Sequence, residues 1–330
     1  MRLKVIFIFV LLGFLPVLSL AKSEKGKNFG TFSWCLANDI FAITDRRFTD
    51  GFQIGWMSKD LKNYRENPWL KWMPFLNKPE FQHSISISLG HSIYTPDQIW
   101  RSDLIEEDCP YAGIFYFSFG IHSIGDLRMD TLEVSIGILG PHSYAEQIQK
   151  FIHSLYNGIR PNGWDHQLKD ELALGVIYER RWKLPQLQFN DGSRLEFIPH
   201  KGVGLGNVQT YASTGMQIRF GRNLPKDFGV PLIRPGGDCN MTFRRSGGSG
   251  VYAFFAVDGK AVLRNIFLDG NTFRDSHRVD KKYFTTDILL GVSMRFGHVN
   301  ISYAYVLWTK RFKTEPKEHI FGVLNLSYSY

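Results

Sequence analysis

The chain has 330 residues, with 39 Lys+Arg against 31 Asp+Glu, a formal charge of +8. Aromatics make up 15% and charged residues only 21%, which excludes a disordered chain. Three cysteines, Cys35, Cys109 and Cys239, include no CxxC pair, so neither a disulfide scaffold nor a thiolate zinc site is expected.

The chain opens on Arg2 and Lys4, followed by an apolar run over 5–20 that is interrupted by Gly13 and Pro16 and ends in Ser19-Leu20-Ala21. A basic start, a short apolar core and a small-x-small end predict a secretory signal peptide over 1–21. The run falls short of the roughly 20 residues that cross a bilayer. Export removes nucleic acid as the partner of a basic chain and leaves an anionic membrane surface or a phosphorylated substrate.

Beyond residue 21, period-two alternation recurs. In 83–89, Ile85, Ile87 and Leu89 alternate with Ser84, Ser86 and Ser88; 212–220, 287–296 and 299–307 repeat the pattern. Strands are predicted at 28–37, 49–59, 82–92, 111–123, 129–139, 171–183, 193–203, 210–221, 250–260, 283–297, 298–309 and 319–330. The last alternates Leu324, Leu326, Tyr328 and Tyr330 and ends the chain on an aromatic. In a soluble sandwich such a strand would be an open apolar edge, which closure removes. Twelve strands of about ten residues, in an exported aromatic-rich chain, predict an all-β, twelve-stranded antiparallel transmembrane β-barrel over 22–330. By parity, 38–48, 93–110, 140–170, 204–209, 261–282 and 310–318 share the outer end.

The first outer connection carries Asn38 and Asp39, and the next strand opens through Thr49, Asp50 and Gly51. A carboxylate beside amide and hydroxyl oxygens suits a hard cation such as Ca²⁺. The same residue types also favour an ordinary turn. Within 140–170, residues 144–157 are predicted to form a helix stopped at Asn157-Gly158. Ile148, Phe151, Ile152 and Leu155 form its apolar stripe. Gln149 and His153 are four apart, so they share a face beside that stripe. Packed on the barrel rim, such a helix would hold an imidazole over the strand ends, where it can act as a general base. From spacing alone, a helix-surface histidine with no partner is the simpler reading. GxSxG, HExxH, GxxxxGK[ST] and GxGxxG motifs are absent.

In this order along the chain, several segments resemble the outer-membrane lipid A 3′-O-deacylases. They are Ala37-Asn38-Asp39, Asp45-Arg46-x-Phe48-Thr49-x-Gly51, Tyr94-Thr95-Pro96, Pro110-Tyr111-Ala112-Gly113, Gly140-Pro141, Gln149-x-x-x-His153, Gly163-Trp164-x-x-Gln167 and Leu268-Asp269-Gly270. The resemblance implies a twelve-stranded barrel in the bacterial outer membrane, with a site between its wall and a helix in an outer loop. It implies a Ca²⁺ that polarises the ester carbonyl and a histidine that activates water. Carried over, His153 is the base, with Gln149 and Asn38 beside it. Asp39 binds the metal with Thr49, and Thr49 and Arg101 face the substrate. The implied partner is lipid A of lipopolysaccharide, met by a monomer. Two departures stand out: Cys109 follows Asp108 where many members have Arg, and Arg101 stands where others have Lys. An outer-membrane phospholipase with the same chemistry and a non-enzymatic porin or adhesin barrel are the alternatives.

Overall fold

The computed structural model describes residues 30–39, 47–61, 80–155, 157–230 and 249–330. The predicted signal peptide lies outside the described residues.

Twelve long strands form a closed antiparallel barrel: β1 (Thr31–Asn38), β2 (Arg47–Met57), β3 (Gln82–Thr95), β4 (Ala112–Ile124), β5 (Arg128–Leu139), β6 (Glu171–Trp182), β7 (Arg194–Gly206), β8 (Gln209–Arg222), β9 (Gly250–Asn265), β10 (Phe284–Phe296), β11 (Val299–Trp308) and β12 (His319–Ser329). Each pairs with its neighbours in the chain, β1 pairs with β12, and β6 closes on β7 through Gly175–Arg181 against His200–Gly206. A two-residue piece, Leu187–Gln188, extends the sheet beside β7. The predicted strands are all present. The principal differences in extent are that β9 runs five residues past its predicted end and β3 and β7 run three each, because the ladder bonds continue into the rim where alternation no longer marks them.

Alternation sorts the side chains as the membrane requires. On β4, Phe115, Phe117 and Phe119 are exposed, whereas Ile114, Tyr116 and Ser118 are buried. The lumen side is polar and paired. Lys260 meets Asp287 at 2.7 Å, Asp258 meets His200 at 2.9 Å, and Arg219 lies between Glu196 and Asp227. An apolar exterior around a polar interior is the inverse of a soluble fold. At the inner end, 223–230 folds into the lumen, where Arg181 Nη1 donates to the Phe228 carbonyl at 2.9 Å and Phe228 is fully buried. No described helix is long and apolar enough to cross a membrane; the strands do the crossing.

The predicted loop helix is present as α1 (Ala145–Leu155). Its end matches the expected stop in a modified form. Asn157, not Gly158, takes the left-handed conformation at φ 54°, and Gly158 N donates to the His153 carbonyl at 2.9 Å. A second short helix, α2 (Ile266–Asp269), is capped by Asn265, whose side chain accepts from Phe267 N.

Candidate active site

The seat of α1 is built first. On β4, Gly113 shares the outward face with Phe115, and a methyl group at Gly113 would run into Ser143 Oγ and Ala145 Cβ. Only glycine lets the start of the helix close on the wall here. On β3, His91 lies on the same outward face and its Nε2 donates to the Ser143 carbonyl at 3.0 Å. Gly140, at φ 102°, turns the chain so that its N–H reaches the Gly113 carbonyl at 2.9 Å. The helix is therefore clamped against the outside of the wall, over the outer ends of β3 and β4.

The face of α1 turned to the wall carries Ala145, Gln149 and His153, all buried. Trp164, itself buried, donates from Nε1 to Gln149 Oε1 at 2.8 Å. Its ring lies 4.9 Å from that of Tyr111, whose hydroxyl donates to the Ile99 carbonyl. A Cβ on Gly163 would meet the Tyr111 ring at 2.6 Å, so this glycine admits the stack. With Oε1 occupied, Gln149 Nε2 is a buried donor with no hydrogen-bond partner among the described residues. His153 Nδ1 lies 2.6 Å from the Ile159 carbonyl. A carbonyl only accepts, so Nδ1 carries the proton and Nε2 of the neutral ring keeps its lone pair.

The strand side contributes oxygens. Asn38 pairs in register with Asp50 across β1 and β2, and its Nδ2 reaches Asp50 Oδ1 at 3.5 Å. Asp39, the next residue, is fully buried. The β2–β3 register slips between Phe48 and Asp50, so Thr49 is the extra residue of a bulge; its side chain lies outside the described residues. The bulge turns Phe48 into the lumen, against Trp308 and Phe321, while Asp50 faces outward beside Asn38. The two halves meet through β3. Ile93 is opposite Asp50 in the register and packs in one buried cluster with Ala145, Tyr111 and Trp164.

Asp50 and Trp164 are the residues that sequence reasoning passed over as site members. The signal for Asp50 was the β1–β2 pairing, which puts it opposite Asn38; for Trp164 it was a motif whose indole had no stated role. Arg101 is half-exposed in the connection 96–111, where its Nε donates to Asp103 Oδ1 at 3.0 Å. This pairing pushes the Asp103 carboxyl down to about 2. Cys109 is buried with Leu268 and Phe312, an apolar setting that would penalise a charged side chain.

Asp39, Asp50 and Asn38, at the outer ends of β1 and β2, carry carboxylate and amide oxygens, the donor type that suits a hard cation. No group of three or more His, Cys, Asp or Glu side chains with metal-binding geometry occurs among the described residues, so a metal here would also draw on neutral oxygens. The residues fit Ca²⁺ better than Zn²⁺.

Comparison with known proteins follows the same lines. The structure is similar to LpxR from Salmonella typhimurium, with a TM-score of 0.72 at 17% identity over 90% of this chain and 99% of that one. Similarity to the β domain of the Bordetella autotransporter BrkA is weaker, with a TM-score of 0.45 at 9% identity over 92% and 99% of the two chains. No curated protein matches the sequence. The family described as outer membrane protein LpxR matches residues 6–330, nearly the whole chain, and the protein belongs to that outer-membrane family.

Proposed function

We propose that this outer-membrane barrel hydrolyses the ester that links the 3′ acyl (acyloxyacyl) chain to lipid A. His153 Nε2 takes a proton from water, and the resulting hydroxide forms a bond to the ester carbonyl carbon. The bond from that carbon to the sugar oxygen then breaks, His153 returns its proton to the leaving oxygen, and a fatty acid and a free 3′ hydroxyl result. Gln149 Nε2, held by Trp164, donates to the carbonyl oxygen as it gains charge. Asp39 would hold a Ca²⁺, with Asn38 and Asp50 offering further oxygens. Bound there, Ca²⁺ supplies positive charge beside the carbonyl oxygen. Arg101 contributes a cation for the phosphorylated headgroup at the outer surface.

The observation that carries this reading is the Nδ1 bond of His153 to a backbone carbonyl. It sets the tautomer a base requires, on the buried face of a helix packed against the wall. Family membership and the outer-membrane location support the substrate class. A filled lumen speaks against a porin, since buried side chains and 223–230 occupy the space a channel needs. The test is mass spectrometry of lipid A from cells with and without the gene. Loss of a mass equal to the 3′ acyl or acyloxyacyl group is expected. Unchanged lipid A with phospholipid hydrolysis would transfer the chemistry to a glycerophospholipid.

A further inference from the structure

Helix α1 has three flanks, not two. At roughly 100° per residue, Ala145, Gln149 and His153 centre on the wall. Ile148, Phe151 and Leu155 gather on one side of that face and are 36%, 62% and 45% exposed. Glu146, Gln147, Lys150 and Ser154 gather on the other side, where Lys150 pairs with Glu146 one turn away. A water-facing helix would turn its apolar flank against protein, as the sequence pattern alone suggests. Here the polar, functional residues take the wall and the apolar flank is left outside it.

That flank belongs to a helix seated on the lipid-facing side of the wall. Ala145 sits on Gly113, and the next outward residues along β4 are Phe115, Phe117 and Phe119, each exposed. Leu89 and Ile87 extend the same surface on β3. The outward face of β3 and β4 is therefore apolar up to the helix start apart from His91, whose Nε2 is taken up by the Ser143 carbonyl. Tyr144, at the helix start, is 61% exposed, and Ile159, just past its end, is 49% exposed.

We propose that α1 is an interfacial helix. Ile148, Phe151 and Leu155 lie among the acyl chains of the outer leaflet, and Glu146, Gln147, Lys150 and Ser154 lie at headgroup level. The membrane then fixes the depth of the helix, and with it the depth of His153. An ester between a sugar and an acyl chain lies at that boundary, so the bilayer presents the bond at the height of the base. The lipid contact rests on the exposed flank alone; only its purpose rests on the deacylase reading.

The test places p-benzoylphenylalanine in turn at positions 147, 151, 154 and 155 of the full chain, reconstituted in phosphatidylcholine vesicles containing lipid A. Irradiation is expected to give lipid adducts at 151 and 155, about tenfold above 147 and 154, as an apolar face buried in the headgroup–acyl boundary requires. Equal labelling at all four positions would overturn the proposal. So would protein–protein adducts at 151, which would make the flank a contact between copies. The charge-introducing check is Phe151→Lys with Leu155→Lys, expected to lift the helix and lose lipid A hydrolysis while the barrel stays heat-modifiable; undiminished hydrolysis would overturn the proposal. If adducts form as expected but wild type leaves lipid A intact, the deacylase reading fails and the interfacial helix stands.

Discussion

Trp164 Nε1 donates to Gln149 Oε1 across 2.8 Å, and this single bond orients the amide that lies one helical turn from His153. It ties a 3₁₀ turn in the second half of the loop (Trp164–His166) to the buried face of α1. The Gly-Trp and Gln-x-x-x-His motifs are thus parts of one device.

Trp164→Phe keeps the ring stack and removes the donor. A net hydrogen bond of about 1 kcal/mol is lost, so the barrel should fold normally. The freed Gln149 amide loses its orientation, and turnover should fall about tenfold. Gln149→Ala removes the carbonyl donor outright and should cost about 10²–10³ in kcat with a smaller change in KM. An unaltered kcat in both variants would leave Gln149 a packing residue.

His153→Ala should lower activity by roughly 10²–10⁴-fold. The residue lies on a helix outside the barrel wall, so the variant should still insert and remain heat-modifiable on gels. Near-normal turnover by such a folded variant rules His153 out as the base.

Asp39→Ala and excess chelator acting on the wild type should give the same loss of hydrolysis, because a buried carboxylate would be a principal charged ligand of a hard cation. Asn38→Ala should cost less, since water can replace a neutral oxygen. Added Ca²⁺ should restore a weakened site in part. Mg²⁺ should restore it poorly, as it demands a smaller octahedral cage, and Zn²⁺ should not substitute beside an oxygen-only set. Full activity in chelator would falsify the metal assignment.

Gly113→Val is a test of the seat. The ladder bonds of β4 do not involve a side chain, so the barrel should form. The isopropyl group would occupy the space of Ser143 and Ala145 and push α1 off the wall. Hydrolysis should be lost, and limited proteolysis should cut 140–170, in a barrel whose strands resist the protease.

Arg101 and Asp103 form an exposed pair in which the carboxyl is pushed down to about 2, chiefly by the Arg101 hydrogen bond. A depressed carboxyl stabilises above its unfolded value and loses that contribution only as pH falls towards about 2. The pair should therefore stay intact across mildly acidic pH, which a titration of the Asp103 carboxyl by NMR would show. Arg101→Ala should raise KM for a phosphorylated lipid with little change in kcat. Asp103→Asn should leave the acid limb of the rate profile where it is in wild type.

The barrel was legible because its cause is local. Every second side chain of a strand meets lipid, and the others meet the lumen, so Ile85, Ile87 and Leu89 announce both strand and face without reference to any partner. The turns were legible for a similar reason: Ile124-Gly125-Asp126 and Gly297-His298 can hold only short connections. The boundaries at the rim were not. Beyond the membrane the alternation stops while hydrogen bonding continues, which is why β9 reaches Asn265.

The sequence by itself determined that this chain alternates through twelve strands, that a helix follows the fifth, and that Gln149 and His153 share a face of it. Those features follow from spacings of two, three and four residues, and such spacings survive any tertiary arrangement. Only the tertiary structure decided which flank of α1 meets the wall, because an apolar stripe and a polar face compete for that place and the membrane takes the apolar one. It also decided that Asp50 stands beside Asn38, that a bulge at Thr49 turns Phe48 inward, and that Gly113 is the helix seat. These depend on register and on contacts between residues about 12 to 50 positions apart, which no local pattern encodes.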